Sequence, residues 1–260
     1  MGNNPELALR YSEKYIKECC CRGTGWVAID VPVGDPLFGE AIPCICQRDR
    51  NKRSRYYDIL SKSGLTQNEI DRYNFQKFVP TSCRVPRGYD REEVIGEMVA
   101  IKKYCEFYAN KPDGWLVLCG DYGSGKTSLA LAIAIENMSL GRYVFASTTA
   151  AMLELLREGY SSNNYHNWTN QIINMDLIVI DDLGAQRHTD WASEVLFEII
   201  NYRYTKGWPM VVTTNEDLLS EQCAIEPRIR SRLLDGSEVQ NGFSKVIMLP
   251  CGDFRPTRGN

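Results

Sequence analysis

The 260 residues suffice for one or two domains, and 43% hydrophobic with 24% charged residues exclude a long disordered chain or a fibrous repeat. Thirty lysines and arginines against 33 acids leave a net charge of -3, so no global basic field exists and any nucleic-acid contact must come from a local patch. No run of about 18 apolar residues occurs, and the start, MGNNPELALRYSEKY, is too polar for a secretory leader, which points to a cytoplasmic protein with no membrane partner.

In chain order, residues 1–47 hold a helix expected over roughly 5–18 and then a crowd of cysteines: Cys19, Cys20, Cys21, Cys44 and Cys46. The turn-rich stretches RGTG and VGDPLFGE lie between expected short strands. The other cysteines, Cys83, Cys105, Cys119, Cys223 and Cys251, are scattered. In a cytoplasmic chain, clustered cysteines suggest metal and scattered ones core packing. Four thiolates bind zinc tetrahedrally. Glu18 stands where a C-x-x-C pair would begin, so the first ligand pair must come from Cys19, Cys20 and Cys21, and Cys19, Cys21, Cys44 and Cys46 are the expected set. An iron–sulfur or redox role, or plain reduced cysteines, are the alternatives. His166 and His188 are far off in sequence, so a zinc site here is all-cysteine.

Residues 48–112 read as a charged helical linker, with helices over Arg53–Ser63 and Arg91–Ala109 separated by NFQKFVPTSCRVPRG. Within Gln47–Tyr57, Arg48, Arg50, Lys52, Arg53 and Arg55 face only Asp49, which reads as a strand-binding segment or as a solvated helix. From 113 to 260 apolar runs alternate with helices: WLVLC, a helix after Lys126, YVFAS, a helix around Ala150–Glu158, LIVID, a helix around Trp191–Tyr204, MVVTT and KVIML. That alternation predicts an α/β fold, a parallel sheet with helices on both faces.

The chemistry concentrates at the ends of those runs. GDYGSGKT, comprising Gly120, Asp121, Tyr122, Gly123, Ser124, Gly125, Lys126 and Thr127, fits G-x-x-x-x-G-K-[ST] between a strand and a helix. Glycines let the backbone curl and present N–H groups to phosphate at a helix N-terminus. Lys126 then reaches the β- and γ-phosphates of ATP and the Thr127 hydroxyl ligates Mg2+. LIVIDDLG ends a buried strand in Asp181, placed to hold magnesium, and Asp182, placed to polarise the attacking water. VVTTN ends in Asn215, a candidate for orienting that water. EPRIRSRLLDG carries Arg228, Arg230 and Arg232. Arg232 is the first choice for a finger supplied to a neighbouring subunit, and a solvent-facing patch is the other reading.

Taken together, GDYGSGKT, LIVIDDLG, FEIINYRY, VVTTN and RIRSRL, with NFQKFVP ahead of them, resemble the DnaC/DnaI/IstB group of AAA+ ATPases over about residues 75–260. The resemblance implies an AAA+ P-loop fold with the lid absent or minimal, ATP and magnesium at an interface of a homo-oligomer, and Asp182 as the catalytic carboxylate. It makes Arg255 the candidate γ-phosphate sensor. C-x-G-x-G-W from Cys21, followed by Cys44-x-Cys46, is similar to the zinc ribbons that precede some helicase-loader ATPases. The implied work is helicase loading in DNA replication: binding single-stranded DNA and delivering or remodelling a replicative helicase. The alternative is an IstB-like transposition helper that binds DNA and recruits a transposase; an adaptor that holds ATP without hydrolysing it is a third.

Overall fold

The computed structural model describes residues 19, 21–28, 31–36, 38–162, 164–186, 189–236 and 243–252, without the side chains at 48, 49 and 52. The helix expected over 5–18, Cys20, His188 and Arg255 lie outside the described residues. The chain divides into two compact units, one running to Asp58 and one from Ile59.

The first unit is built on a short antiparallel pair, β1 (Trp26–Ala28) and β2 (Ala41–Pro43), with Trp26 opposite Pro43. A tight turn precedes β1, Thr24 N–H donating to Cys21 O at 3.1 Å, and Gly23 and Gly25 there have φ of 90° and 80°, which favours glycine. Helix α1 (Ile45–Lys62) follows directly. It starts eight residues before the expected Arg53, because CQRDRNKR is helix-compatible although it carries no apolar period.

In the second unit, residues 59–112, read above as linker, hold α2 (Gln67–Arg72), a 3-10 turn at Pro80–Ser82 and α3 (Arg91–Asn110). Thr66 and Glu69 form a reciprocal capping box on α2, and Asp90 caps α3. These elements supply buried core: Ile59, Phe75, Phe78 and Met98 join Leu116, Leu118 and Leu129 in one apolar cluster. The segment also closes a sheet edge, since Ala146 N–H donates to Ser63 O at 2.8 Å.

The remaining elements are β3 (Trp115–Cys119), α4 (Lys126–Ser139), β4 (Val144–Thr148), α5 (Thr149–Ser161), α6 (Tyr165–Ile173), β5 (Leu177–Asp181), α7 (Asp190–Lys206), β6 (Met210–Thr214), α8 (Pro227–Leu233) and β7 (Ser244–Met248). The sheet order is β4-β5-β6-β3-β7, and every pairing is parallel. β3, β5 and β6 are buried along their whole length, as apolar runs in a two-faced sheet must be. Alternate residues feed opposite faces: Leu116 and Leu118 join α3 and α4, while Trp115, Val117 and Cys119 join α5, α6 and α7. This is the expected α/β arrangement with helices on both sides. Helix α6, YHNWTNQII, was not anticipated; it is short, and Tyr165, Trp168, Ile172 and Ile173 are set among polar residues.

Two buried polar side chains tie the helices in. Arg203, fully buried on α7, donates to Ile173 O and Met175 O and stacks against Trp208. Asn137 and Arg142 both donate to Ala109 O at 3.1 Å, capping the C-terminal end of α3. Among the described residues no helix is long and apolar enough to cross a membrane.

Candidate nucleotide site

In a parallel sheet the ligand crevice forms at the C-terminal ends of the strands, and the sequence-selected residues converge there. Residues 120–125 turn from β3 into α4. Gly120, Gly123 and Gly125 have φ of 143°, 76° and 98°, and a Cβ on Gly120 would stand 3.0 Å from Leu249 O and 3.2 Å from Ser124 Oγ. The loop therefore has room for bare backbone alone at its root, the geometry that lets N–H groups approach phosphate.

Lys126 is 6% exposed, and its Nζ donates to Gly120 O at 2.8 Å, Asp121 O at 2.7 Å and Ser124 Oγ at 3.3 Å. Burial lowers its pKa, while the Asp182 and Asp181 carboxylates push the other way. The Thr127 hydroxyl donates to both Asp181 oxygens, at 2.9 and 3.1 Å. Burial raises the Asp181 pKa, opposed by hydrogen bonds from the Thr213 and Thr127 hydroxyls. Next to it Asp182 has φ of 58°, rare for a non-glycine residue. Its carboxylate Oδ1 accepts from Asn215 Nδ2 at 2.7 Å.

A cavity of about 150 Å³ is lined by Tyr122, Gly123, Gly125, Lys126, Thr127, Thr148, Asp181, Asp182, Thr213 and Asn215. Gly120, Asp121 and Ser124 form the loop beneath it. Thr148 and Thr213 were not selected from the sequence, because a threonine at a strand end is an ordinary β residue. The strand order, which sets β4 and β6 on either side of β5, is what brings them to the cavity. The donor set suits ATP with magnesium: a glycine cradle that a Cβ would fill, and a carboxylate and a hydroxyl as hard oxygen ligands.

Arg232 is not among the residues lining this cavity. It lies on α8, where Nε and Nη2 donate to Asn201 Oδ1 at 3.0 and 2.7 Å and its guanidinium stacks over Phe197 and Tyr204. Arg228 pairs with Glu194 and Glu226, and Arg230 donates to Ser220 O at 2.6 Å.

In the first unit the Sγ atoms of Cys19, Cys21, Cys44 and Cys46 all lie within 4.8 Å of one another, with Cys21 to Cys46 at 3.4 Å and Cys19 to Cys21 at 3.8 Å. A tetrahedral zinc thiolate site sets its sulfurs about 3.8 Å apart. Backbone hydrogen bonds from Gly25 and, less strongly, Gly23, together with Cys46, lower the Cys21 pKa, while hydrogen bonding among the clustered thiols leaves those of Cys19 and Cys46 raised. The basic segment after it lies on α1, where Arg50, Arg53 and Tyr57 are exposed.

Comparison with known proteins agrees with this geometry. The family described as IstB-like ATP binding protein matches residues 93–235. The replicative helicase loader DnaC of Escherichia coli K12 is 26% identical over 154 residues, 57% of this chain and 62% of the loader, so the chain spans less than two thirds of that relative. DnaC of Buchnera aphidicola is 23% identical over 198 residues, 75% of this chain and 76% of its own. Among solved structures, a DnaC helicase loader superposes with a TM-score of 0.54 at 17% identity, covering 70% of this chain and 99% of that one, a likeness of AAA+ fold.

Proposed function

This chain belongs to the IstB-like ATP-binding family, and from that footing we propose that it is an ATP-hydrolysing switch of the replicative helicase loader kind. The observation that carries the reading is the pair of contacts closing one cavity, Thr127 to Asp181 and Asn215 to Asp182, over a glycine loop with a buried lysine. A phosphate-binding site alone needs neither carboxylate. Together they supply a magnesium ligand and a group to take a proton from water.

In this reading Lys126 and the loop N–H groups hold the β- and γ-phosphates. Thr127 and Asp181 hold magnesium, which when bound neutralises the phosphate oxygens. Asp182 accepts the proton of the attacking water, and Asn215 orients that water. Arg232 serves the nucleotide of a neighbouring copy in a homo-oligomer. The γ-phosphate sensor is assigned to Arg255. Residues 1–47 form a module in which Cys19, Cys21, Cys44 and Cys46 hold Zn2+, and 113–260, with the core-forming stretch 59–112, are the AAA+ ATPase domain. The protein works in the cytoplasm.

The relatives named as replicative helicase loaders support a replicative helicase as client. Single-stranded DNA is the second proposed partner, supported by the basic stretch of α1, where Arg50, Arg53 and Tyr57 are exposed. The test is size exclusion with the host's replicative helicase, with and without ATP, for the parent and Lys126→Ala. Co-elution lost in Lys126→Ala supports the switch; co-elution retained by that variant sinks it.

The family match also supports the second reading, an IstB-like helper that recruits a transposase to DNA. Its mark is ATP-dependent co-elution with the transposase and none with the helicase.

A further inference from the structure

Thr213 stands between the two carboxylates and touches both residues. Its hydroxyl donates to Asp181 Oδ1 at 2.6 Å and accepts the Asp182 backbone N–H at 2.9 Å. An N–H can only donate, so the hydroxyl's single proton is left for the carboxylate and its direction is fixed. The next main-chain contact belongs to the same residue: Leu183 N–H donates to Thr213 O at 2.8 Å. One residue further on, Thr214 Oγ1 donates to Leu183 O at 2.6 Å.

These contacts lie where the sheet ladder stops. The last β5–β6 pair is Ile180 with Val212. Beyond it the chain must leave the strand direction, and Asp182 does so with φ of 58°. Such a conformation persists where surrounding contacts over-determine it. Thr213, buried at 1% exposure, supplies those contacts through its side chain and its carbonyl. Neither the phosphate loop nor α7 makes a side-chain hydrogen bond to the Asp182 main chain among the described residues.

We propose that Thr213 is a positioning residue that couples the magnesium carboxylate to the catalytic one: its hydroxyl holds Asp181 in place and, through the Asp182 N–H, aims the Asp182 carboxylate into the cavity. The proposal rests on the ATPase reading above. A ligand drawn to Asp181 is thereby linked by two hydrogen bonds to the group that takes the proton, with no atom of the substrate in between.

The test uses the full-length protein with Thr213→Val, which keeps the shape and removes the hydroxyl, and Thr213→Ser, which keeps the hydroxyl and removes the methyl. Thr213→Val is expected to lower kcat by roughly tenfold to a hundredfold with KM little changed, as a misaimed catalytic group does; Thr213→Ser restores it. Independently of turnover, amide hydrogen exchange at Asp182 is expected to accelerate in Thr213→Val and to stay protected in Thr213→Ser. Parental kcat in Thr213→Val, or a serine variant as slow as the valine one, overturns the proposal. So does unchanged Asp182 exchange in Thr213→Val, even if ATP hydrolysis is confirmed; a parent protein without turnover instead sinks the ATPase reading while exchange still decides the contact. Should Thr213→Val not fold, Thr213→Cys, a poor donor of similar size, takes its place with the same expected kcat loss.

Discussion

The Asn215 side-chain amide donates to the Asp182 carboxylate at 2.7 Å, so the first residues beyond two neighbouring strands, β6 and β5, grip each other at the mouth of the phosphate cavity. Both are half-buried, and neither side chain has a core-packing task. Their contact orients the carboxylate and the amide toward the same small volume. Asn215→Ala should therefore lower ATP turnover by about 10²-fold, the scale for removing one preorganised polar group, while nucleotide affinity holds. Asp182→Asn should stop turnover and likewise retain binding. Phosphate release and titration with a fluorescent ATP analogue check both; equal losses in affinity and turnover would assign the pair to binding.

Lys126→Ala removes the donor to three loop oxygens and the cation at the phosphates. Nucleotide affinity should drop by at least about tenfold, more than 1.4 kcal/mol. The same fluorescent titration reads it. A melting curve matching the parent's confirms that the loss is local.

Burial raises the Asp181 pKa above the ordinary 3.8. Folding thus favours the protonated form, so the contribution of Asp181 to the stability of the nucleotide-free protein is fully present below pH 3.8 and is lost as pH rises through the folded pKa. Asp181→Asn keeps an acceptor for Thr127 and Thr213 but has no charge to desolvate. Its nucleotide-free form should melt above the parent at pH 7, the two converging at low pH. Calorimetry across pH 4–8 measures this, and the variant should also lose any gain in ATP affinity from added magnesium.

Purified protein should carry about one zinc ion per chain, as one four-thiolate site requires. Cys21→Ser, which removes a buried ligand with backbone N–H support, should abolish the metal content. ATP binding by the second unit should survive, because the phosphate loop and its supports all lie beyond Ile59. Metal analysis paired with nucleotide titration separates the two effects.

Local signals carried most of the site into view before any coordinates. GDYGSGKT, LIVIDD and VVTTN each announce a strand end with a chemical task, and the structure brings their selected residues to one cavity. The parallel sheet was legible for the same reason: buried strands are continuous apolar runs. What stayed hidden depends on neighbours distant in sequence. Thr213 looks like any strand threonine until β5 and β6 are known to be adjacent. Residues 59–112 looked like a linker because Phe75, Phe78 and Met98 are core residues without a sustained period, set among charges. FEIINYRY drew notice only as part of a resemblance. In the structure its Arg203 is a buried staple for the carbonyls at the end of α6. Arg232 was chosen for chemistry, and its hold on Asn201 was invisible because α7 and α8 are joined by a strand and a loop.

β3 carries the phosphate loop, yet its two sheet partners are β6 and β7, made much later in the chain. Leu249, just past β7, donates its N–H to Cys119 O at the root of the loop. On the ribosome the loop therefore emerges long before anything can brace it, and a chain stopped ahead of Ser244 has β3 open along one side. Such non-local pairing is slow to form. A nascent chain is thus expected to carry the whole phosphate-binding motif before it can hold ATP.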